Sequence, residues 1–224
     1  ETFVSIAEAK NSRKKINAFD KPSAESEVFE LCQSGKQRRK NELFRRAEDI
    51  TTKPVRLYEA GNGTQNSNEP KTDTMIKKEL LLGDEAIAWG ALNAGLSGVY
   101  AYPGTPSTEI TEFIQMHPLT RERGIHCNWS ANEKTALEAA LGMSFVGKRA
   151  LVCMKHVGMN VCADAFVNSA MTGANGGLVV VAADDPSRHS SQNEQDSRFY
   201  AKFAMIPCFE PASQQEAYEM IGEA

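Results

Sequence analysis

The sequence predicts an α/β fold: a mainly parallel sheet with helices on both faces, in a three-layer α/β/α arrangement. Three observations predict it. Beyond Met75, short apolar runs alternate with amphipathic helical patterns. Ala150 to Met154 and Leu178 to Ala182 are apolar throughout, as strands covered on both faces are. Between Gly98 and Asp196, successive runs end in dense polar clusters that a core has no use for. In parallel sheets ligands bind outside the carboxyl ends of the strands, so these clusters describe one composite site.

The elements follow in order. Leu80 to Leu82 reads as a short strand. Asp84 to Ala94 reads as a helix, with Asp84 as its N-terminal cap, Ile87, Ala91 and Ala94 on one face, and Gly95 as its stop. Val99 to Tyr102 is a strand, and Ser107 to Met116 a helix with Pro106 at its first turn. Ile125 to Trp129 is a strand of mixed hydrophobicity. Glu133 to Phe145 is an Ala-rich helix closed by Gly147. The buried strand Ala150 to Met154 leads into a helix from Val157 to Met171, with Gly173 beyond it. After the strand Leu178 to Ala182 come a helix from Gln195 to Phe203, a last strand within Ile206 to Phe209, and a helix beginning at Ser213.

Residues 1–74 differ in kind. They hold 14 Lys/Arg against 12 Asp/Glu, whereas the rest holds 11 against 17. Glu25 to Ile50 has the spacing of one or two amphipathic helices, too thin for a core, and Gly61 to Thr74 is a polar tract that reads as linker. The run Lys36-Gln37-Arg38-Arg39-Lys40 has no interleaved aromatics and reads as a solvated helix face, not a nucleic-acid contact. The expectation is an N-terminal extension, helical or poorly structured, over residues 1–74, fused or upstream of a domain whose natural start is Met75. No apolar stretch reaches the roughly 20 residues that span a bilayer, so no membrane association is expected. Five widely spaced cysteines without a C-x-x-C pair read as free thiols in a reducing cytoplasm, and not as a zinc or iron–sulfur site.

Each polar cluster has a bland reading and a functional one. Glu133 stands in the first turn of its helix, where an acid complements the helix dipole; it is also placed to take and return a proton from a partly apolar cleft. Pro103-Gly104-Thr105-Pro106 makes a rigid turn presenting the Thr105 hydroxyl at a helix N-terminus, as a cap or as a ligand for a substrate carboxylate. Lys155 and His156 follow an apolar strand and belong at the rim of the sheet, His156 being either structural or poised near neutral pH. Asp184 to Asp196 is polar enough to be a surface loop or a binding loop. There is no dinucleotide fingerprint, P-loop or Gly-Asp-Gly motif.

Together, four segments resemble a known family. They are Leu81-Leu82-Gly83-Asp84-Glu85-Ala86, Tyr102-Pro103-Gly104-Thr105-Pro106-Ser107, Met154-Lys155-His156-Val157-Gly158-Met159-Asn160 and His189-Ser190-Ser191-Gln192-Asn193-Glu194-Gln195-Asp196. In this order they are similar to the N-terminal pyrimidine-binding domain of indolepyruvate ferredoxin oxidoreductase α subunits. These belong to the thiamine-diphosphate-dependent 2-oxoacid:ferredoxin oxidoreductases. The resemblance spans roughly Ile76 to Ala224 and leaves residues 1–74 outside.

It implies a thiamine-diphosphate-binding fold, here its pyrimidine domain over residues 75–224, truncated at its C-terminal side. It implies that Glu133 hydrogen-bonds N1′ of the cofactor's aminopyrimidine and so promotes loss of the thiazolium C2 proton, whereas Glu138 faces elsewhere. Pro103, Gly104, His156 and Asn160 would contact the cofactor, and Thr105, Lys155, His156 and Gln195 the substrate. The implied reaction is oxidative decarboxylation of aryl pyruvates such as indolepyruvate to acyl-CoA, with ferredoxin as electron acceptor. The implied partners are a β subunit, ferredoxin, the 2-oxoacid and coenzyme A, in a hetero-oligomer or a dimer of heterodimers. The domain for diphosphate and Mg²⁺ and the cysteine motifs for [4Fe-4S] clusters are missing from this sequence, so the isolated chain should be inactive. A catalytically silent assembly module of the same fold is the alternative.

Overall fold

The computed structural model describes residues 3–8, 55–57 and 77–224. Its strands are β1 (Phe3–Glu8), β2 (Val55–Leu57), β3 (Lys77–Glu79), β4 (Gly98–Ala101), β5 (His126–Trp129), β6 (Ala150–Lys155), β7 (Leu178–Asp184) and β8 (Cys208–Phe209). Its helices are α1 (Gly83–Asn93), α2 (Thr108–Met116), α3 (Pro118–Arg123), α4 (Glu133–Phe145), α5 (His156–Thr172), α6 (Arg198–Ala204) and α7 (Gln214–Glu223). The helices expected within residues 25–50 and the linker at 61–74 lie outside the described residues.

The main sheet has the order β5-β4-β6-β7-β1-β8. Strands β5, β4, β6 and β7 run parallel, and β1 is antiparallel to both β7 and β8. Side chains alternate between faces along each strand, which produces two cores. Val99, Ala101, Leu151, Cys153 and Val181 pack with α1, α2 and α7 on one face. Tyr100, Val152, Met154, Val180 and Ala182 pack with α4 and α5 on the other. From β4 the chain moves one way to β5 through α2, then crosses back past β4 to β6 through α4. Right-handed crossovers put those two connections on opposite faces and open a crevice between the carboxyl ends of β4 and β6.

Local chemistry fixes the helices that matter. Asn132 caps α4: its side chain accepts from the Thr135 amide at 2.9 Å, while the Thr135 hydroxyl stands 3.3 Å from the Asn132 amide. Helix α4 starts at Glu133, as expected from the sequence. Along it the small residues Ala136, Ala140 and Ser144 are buried, whereas Ala139 and Gly142 are exposed.

Some elements differ from the sequence reading. The strand before α1 is Lys77–Glu79, paired antiparallel with Val55–Leu57, and not Leu80 to Leu82. Leu80 and Leu82 are 69% and 61% exposed, and Leu82 is the N-cap of α1. A run of three leucines satisfies the strand pattern without a partner to pair with. Asp84 therefore sits inside the first turn of α1 and is not its cap. Strands β1 and β2 come from the stretch before Met75, where no strand is expected, and Val55 and Leu57 are buried in the first core. Helix α3 is also new; His117 Nδ1 caps it by accepting from the Leu119 amide.

Helices α1 and α7 meet without a side chain between them at Gly90. A Cβ there would lie 2.1 Å from Ile221 Cγ2 and 2.4 Å from the Tyr218 carbonyl oxygen. Backbone cannot step aside for it. Gly90→Ala should therefore destabilise the protein by about 1–3 kcal/mol, a fall in melting temperature of roughly 2–4 °C per kcal/mol for a domain of this size. An unchanged melting temperature would contradict this packing of α7.

Candidate active site at the carboxyl edge of the sheet

The turn after β4 is held from within. The Gly104 amide donates to Thr108 Oγ1 at 2.9 Å, and Ser107 donates to the Gly104 carbonyl through both its hydroxyl and its amide. Ser107 is the N-cap of α2, and the Thr105–Pro106 bond is cis. Pro103 and Thr105 are exposed, and the Thr105 hydroxyl faces no partner among the described residues. A Cβ on Gly104 would lie 3.1 Å from Lys155 Cδ, so the Lys155 chain lies across this glycine. That is the crevice between β4 and β6.

Glu133 leaves α4 toward α5. It is only 8% exposed, and its carboxylate has no hydrogen-bond partner among the described residues. A Cβ on Gly158 would stand 2.6 Å from Glu133 Cγ and 2.9 Å from Oε1. Gly158 is thus the floor beneath the Glu133 side chain, and any larger residue there would push Glu133 from its place. One turn on, the Cys162 thiol is pushed up to about 12, by burial first and by the Glu133 charge second. Glu138 is exposed and paired with Lys134 at 3.8 Å.

Lys155 closes β6 and His156 opens α5. Lys155 Nζ donates to the Ser190 carbonyl at 2.9 Å. The His156 ring is fully buried. Its Nε2 lies 3.2 Å from the Asn193 carbonyl, which only accepts, so Nε2 carries the proton. Its own carbonyl accepts from Gln195 Nε2 at 2.8 Å. His156 and the 193–195 segment therefore clasp each other, and the ring reaches the site through that loop. Asn160 is exposed and accepts a hydrogen bond from the Tyr200 hydroxyl on α6.

The loop after β7 is organised by Asp185, buried at its start. Its carboxylate accepts from the amides of His189 at 3.0 Å and Ser190 at 2.8 Å, and from the Ser191 hydroxyl at 2.7 Å. Burial pushes this carboxyl up, but the hydrogen bonds from Ser191, Ser190 and His189 outweigh it and hold it well below the usual carboxylate range. Ser187 and Arg188 are both left-handed, at φ 73° and 58°. Two such non-glycine residues cost on the order of 1 kcal/mol or more each and persist because the Ser187 amide is held by Glu194 Oε1 and the loop beyond by Asp185. Asp184, next door, accepts from the Ser197 amide at 2.9 Å; burial raises its pKa against the lowering effect of Ser197 and His156. Asp184, Pro186, Glu194, Gln195, Asp196 and Arg198 line a cleft of about 310 Å³.

The expected residues therefore gather on one edge. Thr105, Lys155 and Ser190 are linked, His156 and Gln195 are linked, and Glu133 rests two residues further along α5. Gly158, Asp185 and Ser190 do structural work that the sequence reading left unassigned. An Asp followed by Pro-Ser after an apolar run is a signal for a side-chain-closed turn, and could have singled out Asp185.

Fold and site together define a ligand-binding α/β domain whose working edge carries a buried acid. The family model described as pyruvate flavodoxin/ferredoxin oxidoreductase, thiamine diphosphate-binding, matches residues 89–224, and the chain belongs to that family. Subunit IorA of indolepyruvate oxidoreductase from Pyrococcus horikoshii is 52% identical over 145 residues, covering 65% of this chain and 22% of that protein. The same subunit from Archaeoglobus fulgidus is 51% identical over 152 residues, 67% of this chain and 24% of its own length. The chain thus spans less than a quarter of these relatives. Among solved structures, 2-oxoglutarate:ferredoxin oxidoreductase from Magnetococcus marinus matches 55% of this chain and 25% of its own at 19% identity, with a TM-score of 0.43.

A second acid at this edge is set apart by its surroundings. Asp84, in the first turn of α1, has one carboxylate oxygen buried with no partner among the described residues. Burial first, then the charges of Glu109 and Glu85, raise its pKa from 3.8 to about 7. The folded protein therefore keeps a proton that the unfolded chain releases above about pH 4. Stability from this group is complete below that pH and is lost as pH rises through about 7. The loss is on the order of a few kcal/mol. Urea unfolding at about pH 5 and about pH 8 should show the wild type weaker at the higher pH, and Asp84→Asn should narrow the gap. An identical gap in both proteins would place the titration elsewhere.

Proposed function

We propose that this chain is the pyrimidine-binding part of a thiamine-diphosphate-dependent 2-oxoacid:ferredoxin oxidoreductase acting on aryl pyruvates such as indolepyruvate. The observation that carries the reading is Glu133: a side chain only 8% exposed and seated against Gly158, whose carboxylate is unpartnered among the described residues yet not sealed from outside. Such a largely enclosed but reachable carboxylate offers an acceptor to a ligand that enters from the crevice. A silent assembly module gives no reason to keep it. An aminopyrimidine ring fits this donor set, because a carboxylate accepts or delivers one proton at a ring nitrogen. Bound there, the cofactor supplies the carbanion chemistry by which a 2-oxoacid loses carbon dioxide.

The residues of this chain bind, orient and move a proton. Glu133 would hold the aminopyrimidine at N1′ and give or take a proton there. Pro103 and Gly104 wall the crevice, and Asn160 lies at its α5 side. Thr105 and Lys155 meet the carboxylate end of the 2-oxoacid, while His156 and Gln195 hold the loop that closes over it. The full assembly adds a domain for diphosphate and Mg²⁺, [4Fe-4S] clusters, a β subunit, coenzyme A and ferredoxin. In this reading the protein works in the cytoplasm, residues 1–74 are an extension that lends strands β1 and β2 to the domain, and the isolated chain does not turn over.

Glu133→Gln keeps the side chain's shape but cannot exchange the proton. In the complete subunit, cofactor binding should stay within a few-fold while hydrogen–deuterium exchange at the thiamine C2 position slows by on the order of a hundredfold or more. Exchange at the wild-type rate would mean that a different acid does this work.

A further inference from the structure

We propose that Asp185 is a positioning residue that fixes the Lys155 ammonium, through the Ser190 carbonyl, to receive the carboxylate of the 2-oxoacid. The inference deepens the reading above and rests on it.

Lys155 is a long, rotamer-rich side chain, and ordering such a chain only when the ligand arrives weakens binding. Here two contacts order it in advance. Its aliphatic part lies across Gly104, where a Cβ would come within 3.3 Å of Lys155 Cγ. Its Nζ donates one hydrogen bond, to the Ser190 carbonyl. An ammonium has three N–H bonds, so two are left without partners among the described residues. Ser190 links this ammonium to the turn that carries Thr105: its carbonyl accepts from Lys155, and its hydroxyl lies 3.1 Å from the Thr105 carbonyl.

The position of the Ser190 carbonyl is set by Asp185. The Asp185 carboxylate takes the amides of His189 and Ser190 and the hydroxyl of Ser191, which fixes the two peptide groups before the Ser190 carbonyl and the side chain of the residue after it. Ser190 Oγ lies 3.0 Å from Asp185 Oδ2 and 3.1 Å from the Thr105 carbonyl. Both are acceptors and the hydroxyl has one proton, so this group ties the loop to the turn after β4 by a shared bond. One anion thereby joins the loop after β7 to the ends of β4 and β6. The Asp185 hydrogen bonds come from His189, Ser190 and Ser191, and Lys155 meets this loop through the Ser190 carbonyl. The ammonium is left with its charge available to a ligand.

The test uses the complete subunit with its partner, with indolepyruvate as the probe. Asp185→Asn keeps the shape but replaces one acceptor oxygen with a donor facing amide donors. KM for indolepyruvate should rise about tenfold, with a much smaller change in kcat. The dissociation constant for indolepyruvate, measured by titration calorimetry, should rise in parallel. A residue needed only for folding would lower the amount of active enzyme and leave KM unmoved. Lys155→Ala should raise KM at least as much, and adding Asp185→Asn to it should raise it no further. Ser191→Ala, which removes one donor and keeps the carboxylate, should shift KM in the same direction by less, and stands in if the Asn variant does not fold. An unchanged KM in Asp185→Asn, or independent effects in the double variant, would overturn the proposal. Either result leaves the Glu133 reading intact, because C2 exchange tests that separately.

Discussion

Ala101, Trp129, Cys153 and Val181 lie side by side across β5, β4, β6 and β7, all four strands pointing the same way. That register is the constraint on which the site depends. Each strand must deliver its next residues over the same edge, whichever face the following helix then takes. Because the connections after β4 and β6 leave on opposite faces, the loops part and a crevice remains between them. Gly104 and Lys155 occupy that crevice from its two sides. Reversing any one of these strands would carry its polar cluster to the opposite edge.

The acids at this edge show how environment, and not residue type, assigns a role. Glu138 lies on an open helix face and pairs with Lys134. Asp185 is surrounded by donors and stays ionised as an anchor. Asp84 has burial and two neighbouring carboxylates against it and holds a proton near neutrality. Glu133 is largely buried on a glycine, with no hydrogen-bond or ion-pair partner among the described residues. Asp84 and Glu133 both have a carboxylate oxygen without a partner among the described residues, but Asp84 faces two neighbouring carboxylates whereas Glu133 rests on Gly158.

Periodicity and punctuation made much of the fold legible. Helix α4 begins at Glu133 because Asn132 and Thr135 form a reciprocal cap, and Gly147 and Gly173 mark helix ends in positive φ where a side chain would be strained. Strands β6 and β7 announce themselves by unbroken apolar runs. What stayed hidden depends on distant partners. Nothing local tells that Lys77–Glu79 pairs with Val55–Leu57 while the apolar Leu80 to Leu82 is left exposed. The six-residue helix α3 is too short for a period to show.

The site was legible to the same degree. Thr105, Glu133, Lys155, His156 and Gln195 were visible as polar residues after strands, and they do gather at one edge. The buried clasp of His156 with the 193–195 segment was not visible, because an imidazole at a strand end reads the same whether it faces ligand or loop. The role of Asp185 needed the loop's closure, and that of Gly158 the approach of Glu133 from another helix. Both are contacts between residues far apart in sequence.

The central claim is that the Glu133 carboxylate receives the aminopyrimidine. A structure of the complete subunit with thiamine diphosphate bound tests it most directly. The account predicts a Glu133 oxygen about 2.6–3.2 Å from N1′, with Gly158 still beneath the side chain. A ring seated away from Glu133, with that carboxylate still unpartnered, would contradict it.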